Sequence, residues 1–109
     1  MTQVSEHQAA GTVDDRPLLL FFSSRRSGPA RRMASLVAWR GVSRKRVLRV
    51  IEVDVDERPD LAAWLGVAEV PALVLLDGDR VVGRLDGRAT GPEIDRFLAA
   101  ALAGDPSAA

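Results

Sequence analysis

Apolar and polar residues along this 109-residue chain alternate in blocks, and each block carries its own period. Leu18-Leu19-Leu20-Phe21-Phe22 is an unbroken apolar run, which predicts a strand buried on both faces. Ser23 to Ser27 turn the chain, and Pro29 stands near the first position of a helix, where its missing N–H costs nothing. Met33, Ala34, Leu36 and Val37 give that helix an apolar face, and Gly41 is the expected stop. Val47 to Val53, rich in β-branched residues, predicts a second strand. Pro59 and Asp60 open a short helix with Leu61, Trp64 and Leu65 at i, i+3 and i+4, closed by Gly66. Val70-Pro71 leads into a third apolar run, Ala72–Leu76. Asp77-Gly78-Asp79 supplies turn chemistry, and Arg80–Asp86 returns as an antiparallel partner. Thr90 and Glu93 have capping-box spacing with Pro92 between them. Ile94, Phe97, Leu98, Ala101 and Leu102 then mark a helix that Gly104 and Pro106 end. Before Arg16 the signals are weak: Thr2–Val4 reads as an edge strand and the residues after Ser5 as a short helix.

This order predicts an α/β domain over residues 16–104, between a weakly structured segment 1–15 and a loose tail 105–109. Parallel core strands, an antiparallel C-terminal hairpin and helices on both faces are the economical packing. With 47% hydrophobic and 28% charged residues the composition is that of a globular chain with a core of its own. No apolar run approaches the roughly 20 residues that span a bilayer. The polar start lacks the basic and apolar regions of a signal peptide, so the expectation is a cytoplasmic protein without membrane contact.

The formal net charge is zero, yet its distribution is uneven. Residues 25–49 hold nine basic side chains and no acid, whereas residues 50–109 set five arginines against twelve acids, a net of −7. Such a segment is either a solvated face in an arginine-biased chain or a footprint for an anionic partner. Nucleic acid is the weaker candidate, because the segment has one aromatic residue and contains a predicted core strand. Trp39 and Trp64 read as packing residues, with Trp39 off the main apolar stripe. With one histidine and no cysteine, no metal site is spaced in the chain, and no cofactor is expected.

The strand, turn and helix opening with Arg26-Ser27-Gly28-Pro29-Ala30 resemble the thioredoxin family, whose signature there is Trp-Cys-Gly-Pro-Cys. Three further features extend the resemblance over about residues 18–103. Ile51–Asp56 followed by Glu57-Arg58-Pro59 looks like the family's strand leading to its next helix. Val70-Pro71 resembles its cis-proline element, and Gly87 holds the place of the glycine that keeps its substrate groove open. The resemblance implies a thioredoxin-like fold. It also implies a cis Pro71 with the Val70 backbone beside the tip of the Ser27 helix, where the family pairs an extended substrate. The plain alternative is that Pro71 only begins the next strand.

The family's chemistry is missing at several points. Thiol–disulfide exchange needs one thiolate to attack and a second thiol to resolve, and Ser27 and Ala30 stand in their places. A helix N-terminus stabilises an anion by about 0.3–2 kcal/mol, which cannot ionise an alcohol. The buried acid of the family falls at Phe21 and its tryptophan at Arg26. Ser27 is left with the role of a helix cap. The expectation is a non-enzymatic, redox-inactive module that binds a protein or peptide through a groove built from Arg25, Arg26, Ser27, Gly28, Pro29, Ala30, Val70, Pro71 and Gly87. Arg25, Arg26, Arg31 and Arg32 would ring that groove and favour an acidic segment. The alternative is a small anion, such as a phosphate ester or glutathione, at the same arginine-ringed helix N-terminus.

Overall fold

The structure, a computed structural model, describes residues 14–103. Four strands and three helices follow in the order β1 (Leu18–Ser23), α1 (Gly28–Ser43), β2 (Arg49–Asp54), α2 (Pro59–Trp64), β3 (Ala72–Asp77), β4 (Arg80–Asp86) and α3 (Gly91–Leu102). The strand and helix expected before Arg16, and the stops at Gly104 and Pro106, lie outside the described residues. The sheet order is β2-β1-β3-β4. It is mixed: β1 runs parallel to β2, and the β1–β3 and β3–β4 pairs are antiparallel.

The alternation of strand side chains decides the layers. Leu19 and Phe21 of β1 and Leu73 and Leu75 of β3 point to one face, where Met33 and Val37 of α1 and Ile94 and Leu98 of α3 cover them. Leu20 and Phe22, with Val74 and Leu76, point to the other face and meet Ala62 and Leu65 around α2. Each apolar residue of β1 from Leu19 to Phe22 is thereby used on one face or the other. No helix among the described residues is long and apolar enough to cross a membrane.

Two boundaries and the packing of the tryptophans differ from the sequence reading, each for a local reason. Helix α1 passes Gly41 and ends at Ser43, because Gly41 serves contact rather than termination. A Cβ there would lie 3.0 Å from Val50 Cγ2, so glycine lets α1 lie close on β2. Strand β2 starts at Arg49, not Val47. The Val47 N–H donates to the Arg44 carbonyl (2.9 Å) in a turn, and Leu48 drops into the core. Neither tryptophan packs as expected: Trp39 is 61% and Trp64 68% exposed, and Ala62 and Leu65 fill the place expected of Trp64. Elsewhere the turn chemistry acts as expected. Gly66 and Gly78 take positive φ (71° and 67°), and Thr90 and Glu93 close a reciprocal capping box on α3.

One interaction between the helices was not visible in the chain. Arg40, 9% exposed, reaches from α1 to α3 and is held by Asp95 through Nε (2.9 Å) and Nη2 (3.1 Å). Arg44 adds a third contact to Asp95 at 3.0 Å. Gly91 leaves room for this clamp, since a Cβ there would stand 2.6 Å from Arg40 Nη2. The Arg40 hydrogen bonds, and then the charges of Arg40 and Arg44, hold the Asp95 carboxyl below its usual range. A lowered folded-state pKa contributes stability above the unfolded value, near pH 4, which is lost as pH falls through the folded value. Asp95→Asn is therefore expected to lower the denaturant midpoint above about pH 5. The gap to the parent should close on acidification below about pH 4. A gap independent of pH would contradict the clamp.

Candidate functional site

The candidate site lies at the C-terminal end of β1, which delivers Ser23 and Ser24 into buried positions (5% and 7% exposed). Buried hydroxyls need partners, and β2 and the loop after it provide them. Ser23 Oγ donates to Glu52 Oε2 and Ser24 Oγ donates to Asp56 Oδ2, both at 2.6 Å. Ser24 Oγ also accepts the Arg26 N–H at 3.1 Å, while the Arg26 guanidinium donates to Asp56 Oδ1 at 2.8 Å. Arg26 and then Ser24, by hydrogen bonding, hold the Asp56 carboxyl below its usual range. Asp56 thus ties the 23–26 turn to the end of β2.

Ser27 begins α1 as its cap: its Oγ accepts the Ala30 N–H at 3.1 Å, an arrangement worth about 1 kcal/mol. Its own N–H donates to the Ser24 carbonyl at 3.0 Å. The hydroxyl is thereby engaged with the helix it starts. Among the described residues there is no histidine to act as its base. Phe21 sits in the core at 1% exposure, in register with Glu52 of β2.

The second edge of the site comes from the sheet register. Ala72 of β3 pairs with Phe22 on one side and Asp86 on the other. Pro71 and Gly87 therefore meet at the end of β1 where the 23–27 turn begins. The Val70–Pro71 peptide bond is cis, and the Pro71 carbonyl accepts the Gly87 N–H at 2.9 Å. Gly87 itself has φ of 88°, a conformation that only glycine adopts freely. Between this edge and the turn lies a depression of about 240 Å³, lined by Ser24, Arg26, Asp56, Val67, Glu69 and Val70. Among the described residues no hydrogen bond engages the backbone N–H or C=O of Val70.

Of the residues expected in the groove, Arg26 and Val70 line this depression. Ser27, Gly28, Pro29 and Gly87 do not line it. Ala30 and Pro71 were expected in the groove and are buried, so they give it shape and offer a partner no side chain. The expected ring of four arginines is not formed, because the acids of the 54–57 loop divide it. Arg25 pairs with Asp54 (3.9 Å) and Glu57 (3.7 Å), and Arg26 with Asp56. Arg31 and Arg25 border a separate depression of about 260 Å³, and the Arg31 guanidinium donates to the Arg25 carbonyl. Arg32 folds its guanidinium back over Gly28. The resemblance places Asp54, Asp56 and Glu57 only at the join between a strand and its next helix. The separation of more than 25 residues between the basic turn and these acids concealed the pairing, although the parallel β1–β2 arrangement brings the two segments side by side.

Comparison with known proteins agrees with this geometry. The family model described as Thioredoxin matches residues 2–100. A thioredoxin of Alicyclobacillus acidocaldarius is 30% identical over 88 residues, which cover 81% of this chain and 84% of that protein. A thioredoxin-like protein of Synechocystis is 28% identical over 66% of this chain and 69% of its own length. Among solved structures, a mutant thioredoxin from Halobacterium salinarum superposes with a TM-score of 0.69 at 26% identity, covering 89% of this chain and 85% of that one. Mitochondrial thioredoxin 3 from Saccharomyces cerevisiae gives 0.69 at 24% identity, over 78% of each chain. The family model spans most of the chain and the relatives match it over most of their own length, so the chain belongs to the thioredoxin family.

Proposed function

We propose that this chain is a redox-inactive member of its family that binds an extended protein or peptide segment in the depression between the 23–27 turn and Val70. The observation that carries this reading is the pair of unengaged backbone groups on Val70 beside a formed cleft, in a chain without cysteine. An extended segment laid along this edge would hydrogen-bond to Val70 N–H and C=O as an added strand does. The open Gly87 conformation leaves space for its next residue. No step of electron transfer is available, because both sulfur positions of a dithiol exchange are a capped hydroxyl and a buried methyl.

The charge of the cleft refines the partner. Arg26 is neutralised by Asp56, and Glu69 stands in the same lining, so the cleft has no net positive charge to select acids. A segment uncharged at its centre fits best. Small-anion binding is disfavoured for a related reason: Ser27 already caps the helix, and Arg25 and Arg26 already have carboxylate partners.

Titrating the ¹⁵N-labelled chain with a capped peptide of alternating Thr and Val is expected to move the amides of Arg26, Val70 and Gly87 in a saturable way. Unmoved resonances at Val70 would rule the groove out. In a dithiol-driven reduction of a protein disulfide the chain is expected to give no turnover above the uncatalysed rate, and measurable catalysis would overturn its redox inactivity. The Ser27→Cys/Ala30→Cys variant is expected to regain only weak activity. Phe21 still replaces the acid beneath the site, and Arg26 is still tied to Asp56. Activity equal to that of a thioredoxin would show that these two positions carry no weight.

A further inference from the structure

The basic segment is only partly consumed by the fold. Arg25, Arg26, Arg40, Arg44 and Arg49 each find a carboxylate. Arg31, Arg32, Lys45 and Arg46 find none among the described residues, and all four are exposed. They stand in two pairs, one in the early part of α1 and one in the turn after it. At 1.5 Å per residue Arg31 and the last helical residue, Ser43, are about 18 Å apart, and the second pair follows in the turn.

Between the two pairs α1 presents apolar surface to solvent instead of the polar face a helix on a sheet normally turns outward. Trp39 is 61% exposed, Val42 69%, and Val47 in the following turn 53%. Beside them, between α1 and the edge of β2, runs a groove of about 520 Å³, more than twice the volume of the depression at Val70 (about 240 Å³). Ala34, Ala38 and Gly41 form its helical wall and Val50 its strand wall, over Phe21 and Val37. Lys45 closes one end. The Arg40 guanidinium lies 5.5 Å from the centre of the Trp39 ring, within cation–π range.

We propose that this face docks an acidic polypeptide segment of a partner protein. Its carboxylates meet Arg31, one turn before Ala34 on the same face of α1, at one end and Lys45 and Arg46 at the other, and its apolar middle enters the groove. Charge complementarity selects this occupant. Cations without a carboxylate partner among the described residues stand at both ends of an apolar centre, and extended chain at about 3.3 Å per residue spans them with six or seven residues. Glu52 in the groove lining keeps the middle of the segment uncharged. A bilayer surface fits less well because the apolar lining is recessed. A nucleic acid fits less well because Trp39 is the one ring available for stacking on this face. The surface is distinct from the Val70 cleft and does not depend on it.

The test is a titration of the full ¹⁵N-labelled chain with a peptide of acidic triplets flanking Leu-Phe-Val-Leu. Saturable shifts are expected at Ala38, Gly41, Val42, Lys45 and the Trp39 indole, with Val70 and Gly87 unmoved. The Lys45→Glu/Arg46→Glu variant, its fold checked by thermal unfolding, should bind roughly tenfold or more weakly. The parent should bind the same peptide with Gln and Asn in place of its acids roughly tenfold or more weakly as well. Equal binding of the neutral peptide, or no saturable shift, would overturn the proposal whatever the variant does. So would stronger shifts of the same resonances with phosphatidylglycerol vesicles or a DNA duplex. Contacts from residues 1–13 filling the groove in the free chain, or shifts that appear on concentrating the chain alone, would overturn it too.

Discussion

Burial of β1 on both faces is the constraint from which the rest of the molecule follows. Leu19, Phe21 and Phe22 are at most 1% exposed, and the strand is paired on both edges, by β2 and β3. A strand in that position cannot shift register by one residue without exchanging its two core clusters. Everything at its C-terminal end is therefore held in place: the buried Ser23 and Ser24, the turn to Ser27, and the adjoining Pro71 and Gly87. The site inherits its geometry from the core, and that geometry does not require sulfur.

The side chains below and above the turn are engaged within the chain. An acid placed on β1 would sit in the core beneath α1, where Phe21 now adds packing. Position 21 is thereby part of the hydrophobic interior. Above it, Arg26 joins Ser24 and Asp56 in a hydrogen-bonded strap. Such charge-assisted bonds fix a loop more firmly than neutral ones. The turn that presents the Ser27 helix is thus held by polar contacts from β2's loop. Across the cleft, the backbone groups of Val70 are unengaged among the described residues.

Much of the fold was legible because the strongest signals were local. The continuous run at Leu18–Phe22, the capping box at Thr90 and Glu93, and Gly78 in its hairpin each act within a few residues. Glycines were harder, since Gly41 looks like a stop yet exists to let Val50 approach. Trp64 shows the same limit, because helical spacing names a face without saying whether another element covers it. At the site, the elements meeting around Ser27 could be read from the sequence, but the fate of the arginines could not. Arg26 with Asp56 and Arg40 with Asp95 join residues 30 and 55 apart, and only the chain's path brings them together.

Hydrogen exchange at the Val70 amide tests the central claim most directly, because it reads the free backbone group itself. The amides of Leu73 and Leu75, in the middle strand β3, should exchange slowly, whereas Val70 N–H should exchange quickly in the free chain and become protected when an extended segment is bound. A Val70 amide already as protected in the free chain as those of β3 would contradict an open pairing edge.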